Sequence, residues 1–378
     1  MVWQRLLTVT AAVVLAVWGP VDPVATATPG LAPELAARLD AAIDQTMRTA
    51  RIPGAVVGVF GPQGDYVRAV GVADETTGAP MQPGFFQRIG SLTKTFTVTA
   101  ILQLARDGRL SLDDPIDRYV PGVPQGALIT LRELARMQSG LPNYTANDEF
   151  VRALLSDPQR PWTPRELLGY AFSQPPTFPP GQGFEYSNTN TVLLGLVVET
   201  VTGQRLGDFI HDRITAPLGM TRTAFPTGND FPQPHAQGYT VQTLDGMQAV
   251  ATEWNPSWGW AAGAMTSTLE DLRIWAPALA TGTLLDPPLQ EQRLQVVSRA
   301  GVPARTGYGL GLFNAGGWIG HNGSLPGYQT VAVHLPARNL TLVIEINTDE
   351  AVDGTEPSTL LAAAITRELT PDNVYALG

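Results

Sequence analysis

Ile89-Gly90-Ser91-Leu92-Thr93-Lys94 runs straight into Thr95-Phe96-Thr97-Val98-Thr99-Ala100-Ile101-Leu102-Gln103-Leu104, with Asp107-Gly108 just beyond. The second stretch, carrying Phe96, Ile101, Leu102 and Leu104, predicts a buried helix with Ser91 at its N-terminus. Residues three apart on a helix lie about 60° from each other around the axis and about 4.5 Å along it. The Ser91 hydroxyl and the Lys94 amine can therefore share one face and meet. A helix N-terminus adds free backbone N–H groups and favours negative charge developing on the serine oxygen.

Lys94 stands out by composition. Of the 24 basic residues, 23 are arginine and this is the single lysine. A guanidinium stays protonated in proteins, whereas an ammonium can lose its proton when buried. Lys94 is thus the one side chain able to serve as an amine base, if its surroundings enclose it; a lone surface lysine is the bland alternative.

Two further motifs extend the site. Glu185-Tyr186-Ser187-Asn188-Thr189-Asn190 follows Pro179-Pro180-Gly181 and precedes an apolar helical pattern through Leu193, Leu194, Leu196 and Val197. At that loop-to-helix junction Tyr186 can donate or accept a proton and Asn188 can orient a substrate amide, unless Ser187 or Asn188 simply caps the helix. Gly320-His321-Asn322-Gly323-Ser324 lies between Gly316-Gly317 and the strand-like Tyr328 to Leu335; its glycines suggest a backbone approached closely by another group, the alternative being a hairpin turn with a surface histidine. No serine sits in a G-x-S-x-G frame, which leaves a nucleophile elbow without a candidate.

S-x-x-K, then Y-x-N, then H-x-G resembles the serine β-lactamase and penicillin-binding-protein superfamily, and within it the class C β-lactamase and D-alanyl-D-alanine carboxypeptidase branch. The likeness extends over Gly90 to Gly122, Ile129 to Tyr144, Tyr186 to Met220, Ala262 to Leu272 and Gly307 to Gly327. It implies a mixed α/β (α+β) β-lactamase/transpeptidase-like fold: an antiparallel sheet flanked by N- and C-terminal helices, with an inserted all-helical lobe. The sheet lobe is expected at about 35–90 and 301–370 and the helical lobe at about 91–300. Local patterns agree with the sheet lobe: an amphipathic helix over Leu35 to Met47, a hairpin of Ala55 to Phe60 with Val67 to Val72, a second of Thr330 to Leu335 with Leu340 to Asn347, and a closing helix over Ser358 to Leu369.

The resemblance also implies acyl-enzyme chemistry. Ser91 is the nucleophile and Lys94 the base, assisted by Tyr186, which is expected as a tyrosinate favoured by Lys94 and as the group that protonates the leaving group, with His321 supplying polarity in place of the lysine of K-T-G. The backbone N–H groups of Ser91 and Ser324 hold the oxyanion. Asn188, Asn322, Gly323, Phe150, Trp258 and Phe313 are the expected substrate contacts, and Trp254 and Trp260 add to an aromatic-rich loop or pack as core. Three positions depart from the branch. Phe313 stands where carboxypeptidases carry a basic residue for the terminal carboxylate, Asn322 where a threonine is usual, and Met137 where a structural histidine precedes Ser139-Gly140-Leu141.

The expected activity is a D-alanyl-D-alanine carboxypeptidase-like hydrolase of cell-wall peptides. An esterase, amidase or β-lactamase of the same fold is the alternative, and a penicillin-binding sensor without turnover is a third. Substrates are small molecules or peptides with a scissile amide or ester, and β-lactams are expected acylating ligands. The 378 residues are 44% hydrophobic, ample for a large core. A net charge of -10 without a basic cluster argues against nucleic acid. Four histidines without H-E-x-x-H spacing give no reason to expect a metal, and no other cofactor is implied. There are no cysteines, hence no disulfides. Met1 to Arg5, an apolar run from Leu6 to Trp18 and Ala25-Thr26-Ala27 read as a cleaved signal peptide over 1–27 and a secreted product without a membrane span. The run of about 13 apolar residues falls short of the roughly 20 that span a bilayer.

Overall fold

The computed structural model describes residues 30–298 and 306–377; the leader expected over 1–27 lies outside them. Among the described residues twelve strands form, in chain order β1 (Gly54–Phe60), β2 (Tyr66–Asp74), β3 (Ala79–Pro80), β4 (Phe86–Arg88), β5 (Tyr239–Thr240), β6 (Ala249–Val250), β7 (Thr266–Thr268), β8 (Gly307–Tyr308), β9 (Phe313–Ala315), β10 (Trp318–Leu325), β11 (Tyr328–Leu335) and β12 (Leu340–Ile346). Eight of them make one antiparallel sheet in the order β3-β2-β1-β12-β11-β10-β9-β8, and the pairs β4–β7 and β5–β6 stand apart. The chain's first and last strands therefore meet at its centre, with Val57 opposite Ile344.

Helices cover both faces of this sheet. On one side lie α1 (Pro33–Thr49) and α11 (Pro357–Leu369). Leu39, Ile43 and Met47 of α1, one helical turn apart, join Leu361 and Ile365 of α11 against Val57, Val331, Val333 and Ile344. Alternate strand residues, among them Val56, Ala332 and Val343, point the other way into a second core. With both faces covered, β1 is buried at all seven positions and its sequence is a nearly continuous apolar run.

The second core is mostly helical: α2 (Thr93–Arg106), α3 (Leu131–Ala135), α4 (Asp148–Ser156), α5 (Pro164–Phe172), α6 (Asn188–Thr202), α7 (Leu206–Ile210), α8 (Trp260–Gly263), α9 (Leu269–Thr281) and α10 (Pro287–Leu294). Helix α2 runs through its middle and is buried from Thr93 to Leu104. Its threonines survive there because every hydroxyl is hydrogen-bonded: Thr95 donates to the Leu92 carbonyl, Thr97 to Ala261 and Thr99 to Thr95, while Thr93 accepts from the Met265 N–H. The chain from 91 to about 300 is not uniformly separate from the sheet, however: α9 packs across β11 and β12.

Candidate active site

Gly90–Leu92 form a 3₁₀ turn that enters α2 without a break. Gly90 has φ +52°, and a Cβ there would lie 2.7 Å from the Ser324 nitrogen. A Cβ on Gly323 would lie 1.9 Å from the Ile89 oxygen and 3.0 Å from the Ser91 nitrogen. Two glycines thus let the nucleophile turn and β10 touch backbone to backbone, as the glycines around His321 suggested. This contact brings the N–H groups of Ser91 and Ser324 into one neighbourhood, the arrangement an oxyanion requires. The H-x-G segment is not a loop: His321, Asn322, Gly323 and Ser324 all lie within β10.

Lys94 is completely buried. Its Nζ lies 2.8 Å from Ser91 Oγ and 2.8 Å from the Ala262 carbonyl, to which it donates. Burial alone holds the amine well below its ordinary value of 10.5, and no carboxylate pairs with it among the described residues. In its deprotonated form, which burial favours, the amine with one N–H committed to Ala262 keeps a lone pair for the serine proton.

Tyr186 reaches the same spot from the turn before α6. Its ring centre is 4.9 Å from Lys94 Nζ, and the hydroxyl of Ser91 lies close enough to influence its phenol. Burial pushes the phenol upward, Ser91 pulls it back and the charge of Glu356 pushes it further. The tyrosinate expected from the sequence is therefore corrected. Burial disfavours both charged forms at once, the Lys94 ammonium and the Tyr186 phenolate, and the phenol is held well above its ordinary value.

His321 is buried beside Lys94, and burial first, then Lys94, lowers its imidazole to about 3. It is neutral at ordinary pH. Its Nδ1 bonds the Asn322 carbonyl, which can only accept, so Nδ1 carries the hydrogen and Nε2 faces the Tyr308 hydroxyl at 3.3 Å. His321 thus gives polarity without the positive charge a lysine would bring. Phe313 closes this side, 4.7 Å from the His321 ring and stacked on Tyr186 at 6.2 Å.

Asn188 is the first residue of α6. It does not cap the helix: its N–H donates to Asn143 Oδ1 at 3.1 Å and its Nδ2 to Thr145 Oγ1 at 3.1 Å. The carboxamide is oriented by that side and offers its oxygen to a ligand. Trp258 is partly buried, and its carbonyl accepts from the buried Tyr144 hydroxyl at 2.6 Å. Phe150 is corrected: it is 1% exposed, packed among Tyr144, Trp162 and Tyr170, and lines no cleft. Its place on α4, whose Asn147 cap is itself buried, puts its ring in the core. Asn322 donates from Nδ2 to Glu356 at 2.6 Å, so its amide is committed to that carboxylate. Met137, in the histidine position, is buried and accepts from Asn190 Nδ2 through its sulfur at 3.3 Å, a structural contact under α6.

Three participants escaped sequence reasoning. The Ala262 carbonyl and the Asn143 side chain carry no motif, and Glu356 sits in an unremarkable run before α11.

A family model described as Beta-lactamase matches residues 39–365. Protein flp of Staphylococcus aureus strain MRSA252 is 29% identical over 329 residues, which is 82% of this chain and 62% of that protein, so the chain spans about three fifths of that relative's length. Esterase EstB of Burkholderia gladioli is 32% identical over 325 residues, 75% of this chain and 80% of the esterase. Among solved structures, the D-stereospecific amidohydrolase of a Streptomyces species superposes with a TM-score of 0.78 at 31% identity, covering 88% of this chain and 98% of that one. The D-amino acid amidase of Ochrobactrum anthropi SV3, in complex with L-phenylalanine amide, gives 0.79 at 27% identity, covering 89% and 99%.

Proposed function

The chain belongs to the beta-lactamase family, and from that membership we propose that it is an exported amidase or esterase cleaving small uncharged amides or esters through a Ser91 acyl-enzyme. The observation that carries this reading is a fully buried lysine amine 2.8 Å from a serine hydroxyl. Lys94 takes the Ser91 proton as Oγ bonds the substrate carbonyl carbon, and the N–H groups of Ser91 and Ser324 bind the oxyanion. The proton passes through the Tyr186 hydroxyl to the departing amine or alcohol as its bond to the acyl carbon breaks. Water then attacks the acyl ester, gives its proton to Lys94, and Ser91 recovers its hydroxyl as the acid leaves.

The leaving group separates this activity from a D-alanyl-D-alanine carboxypeptidase using the same steps. A terminal carboxylate calls for a cation, and the wall beside Tyr186 is Phe313 and a neutral His321. The relatives named esterase, amidase and amidohydrolase support the uncharged class. Export is part of the proposal and rests on the leader pattern of residues 1–27.

The purified mature protein is tested with 4-nitrophenyl butyrate, D-phenylalanine amide, a D-Ala-D-Ala tripeptide and fluorescent penicillin. Turnover of the ester and amide is expected, with kcat reduced about 10³-fold or more in a folded Ser91→Ala variant. Release of D-alanine from the tripeptide without ester turnover would assign a carboxypeptidase instead. A lasting penicillin adduct with every substrate untouched would assign a sensor.

A further inference from the structure

Glu356 immediately precedes α11 at its N-cap position, yet its side chain makes no capping bond to that helix. The carboxylate turns instead to β10. Asn322 donates to it from Nδ2 at 2.6 Å, and Ser324 is near enough to draw its carboxyl down. These two residues flank Gly323, the glycine against the nucleophile turn, and the second of them carries an oxyanion N–H. No lysine or arginine forms an ion pair with Glu356 among the described residues, so its charge has no counter-ion there.

That charge also bears on the leaving-group side. Tyr186, which hands the proton to the departing group, is within electrostatic reach of Glu356. A group leaving past Tyr186 therefore moves in the field of an uncompensated carboxylate in surroundings drier than bulk water, where like charges repel strongly. Burial pushes the Glu356 carboxyl up, while the bond from Asn322 and the nearby Ser324 pull it back.

We propose that Glu356 determines specificity by turning carboxylate-bearing leaving groups away, so that esters and amides with uncharged leaving groups are preferred. This rests on the Ser91 acyl-transfer reading. It goes beyond the lack of a cation at Phe313, because a missing cation only fails to attract a carboxylate whereas Glu356 repels it.

Two esters sharing one acyl group provide the test: 4-nitrophenyl butyrate and 3-carboxy-4-nitrophenyl butyrate, assayed at pH 8 with wild type and with Glu356→Gln. Glutamine keeps the shape and an oxygen for Asn322 but removes the charge. The kcat/KM for the carboxylated ester should rise, lowering the neutral-to-carboxylated preference by about tenfold; a purely structural role for Glu356 has no means of raising activity on one ester alone. Glu356→Ala serves as a second variant and should change the preference in the same direction. A preference that stays constant, or a parallel loss on both esters, overturns the proposal while leaving acyl transfer intact. Failure of wild type to turn over the neutral ester removes the acyl-transfer reading and this one together.

Discussion

At the scale of single residues, the chemistry depends on an amine kept neutral by burial, and that has a stability consequence. The folded chain holds Lys94 well below 10.5, whereas the unfolded chain returns it to the ordinary range. Between the two values the unfolded state binds the extra proton, so stability rises with pH across that window and the burden on folding disappears above about 10.4. Each pKa unit of depression corresponds to about 1.4 kcal/mol. Lys94→Met, which fills similar space without a charge, should be inactive and should show its largest stability relative to wild type at the low-pH end. Urea unfolding of both proteins from pH 6 to 10.5 measures this: the gap should shrink steadily toward high pH. A gap independent of pH would mean that Lys94 stays protonated in the fold and cannot be the base.

At the scale of elements, what matters is how closely the turn before α2 approaches β10. Gly90 combines φ +52° with only 2.7 Å between a would-be Cβ and the Ser324 nitrogen. Gly90→Ala should cost about 1–2 kcal/mol from the left-handed backbone alone, and should also push Ser91 off the strand. Because a displacement of about 1 Å can lower turnover about 100-fold, kcat should fall far more than stability, by roughly two orders of magnitude with the Tm lowered only a few degrees. Equal kcat in the variant and wild type would show that the contact is dispensable. This contact also marks what could be read in advance. Ser91, Lys94, Tyr186 and the glycines were legible because spacing, a lone lysine and glycine density are written in the chain. Phe150 was misplaced because an aromatic residue at helical spacing looks the same whether its ring faces a cleft or a core. Ala262, Asn143 and Glu356 were invisible, since a carbonyl or a carboxylate becomes a partner only when distant elements meet.

For the whole molecule, the helices at both ends were legible from their amphipathic periods, and the sheet from its two hairpins. The assignment of α9 to a separate helical lobe was less so, because periodicity reports a buried face without saying what covers it; α9 turns that face to β11 and β12. The result is a sheet with two independent cores, and the active site belongs to one of them. Leu39 is fully buried in the other, between α1, α11 and the sheet. Its truncation by Leu39→Ala should cost about 2–5 kcal/mol through lost burial and the cavity left behind. The expected readout is a lower unfolding midpoint in urea with an unaltered denaturant slope, since the same surface is exposed on unfolding. Turnover at 20 °C, measured on protein still folded, should match wild type, because the sheet stands between the cavity and the contact of Gly90 with β10. A fall in kcat in step with the lost stability would mean that the far core sets the position of β10, and that the two faces act as one mechanical unit.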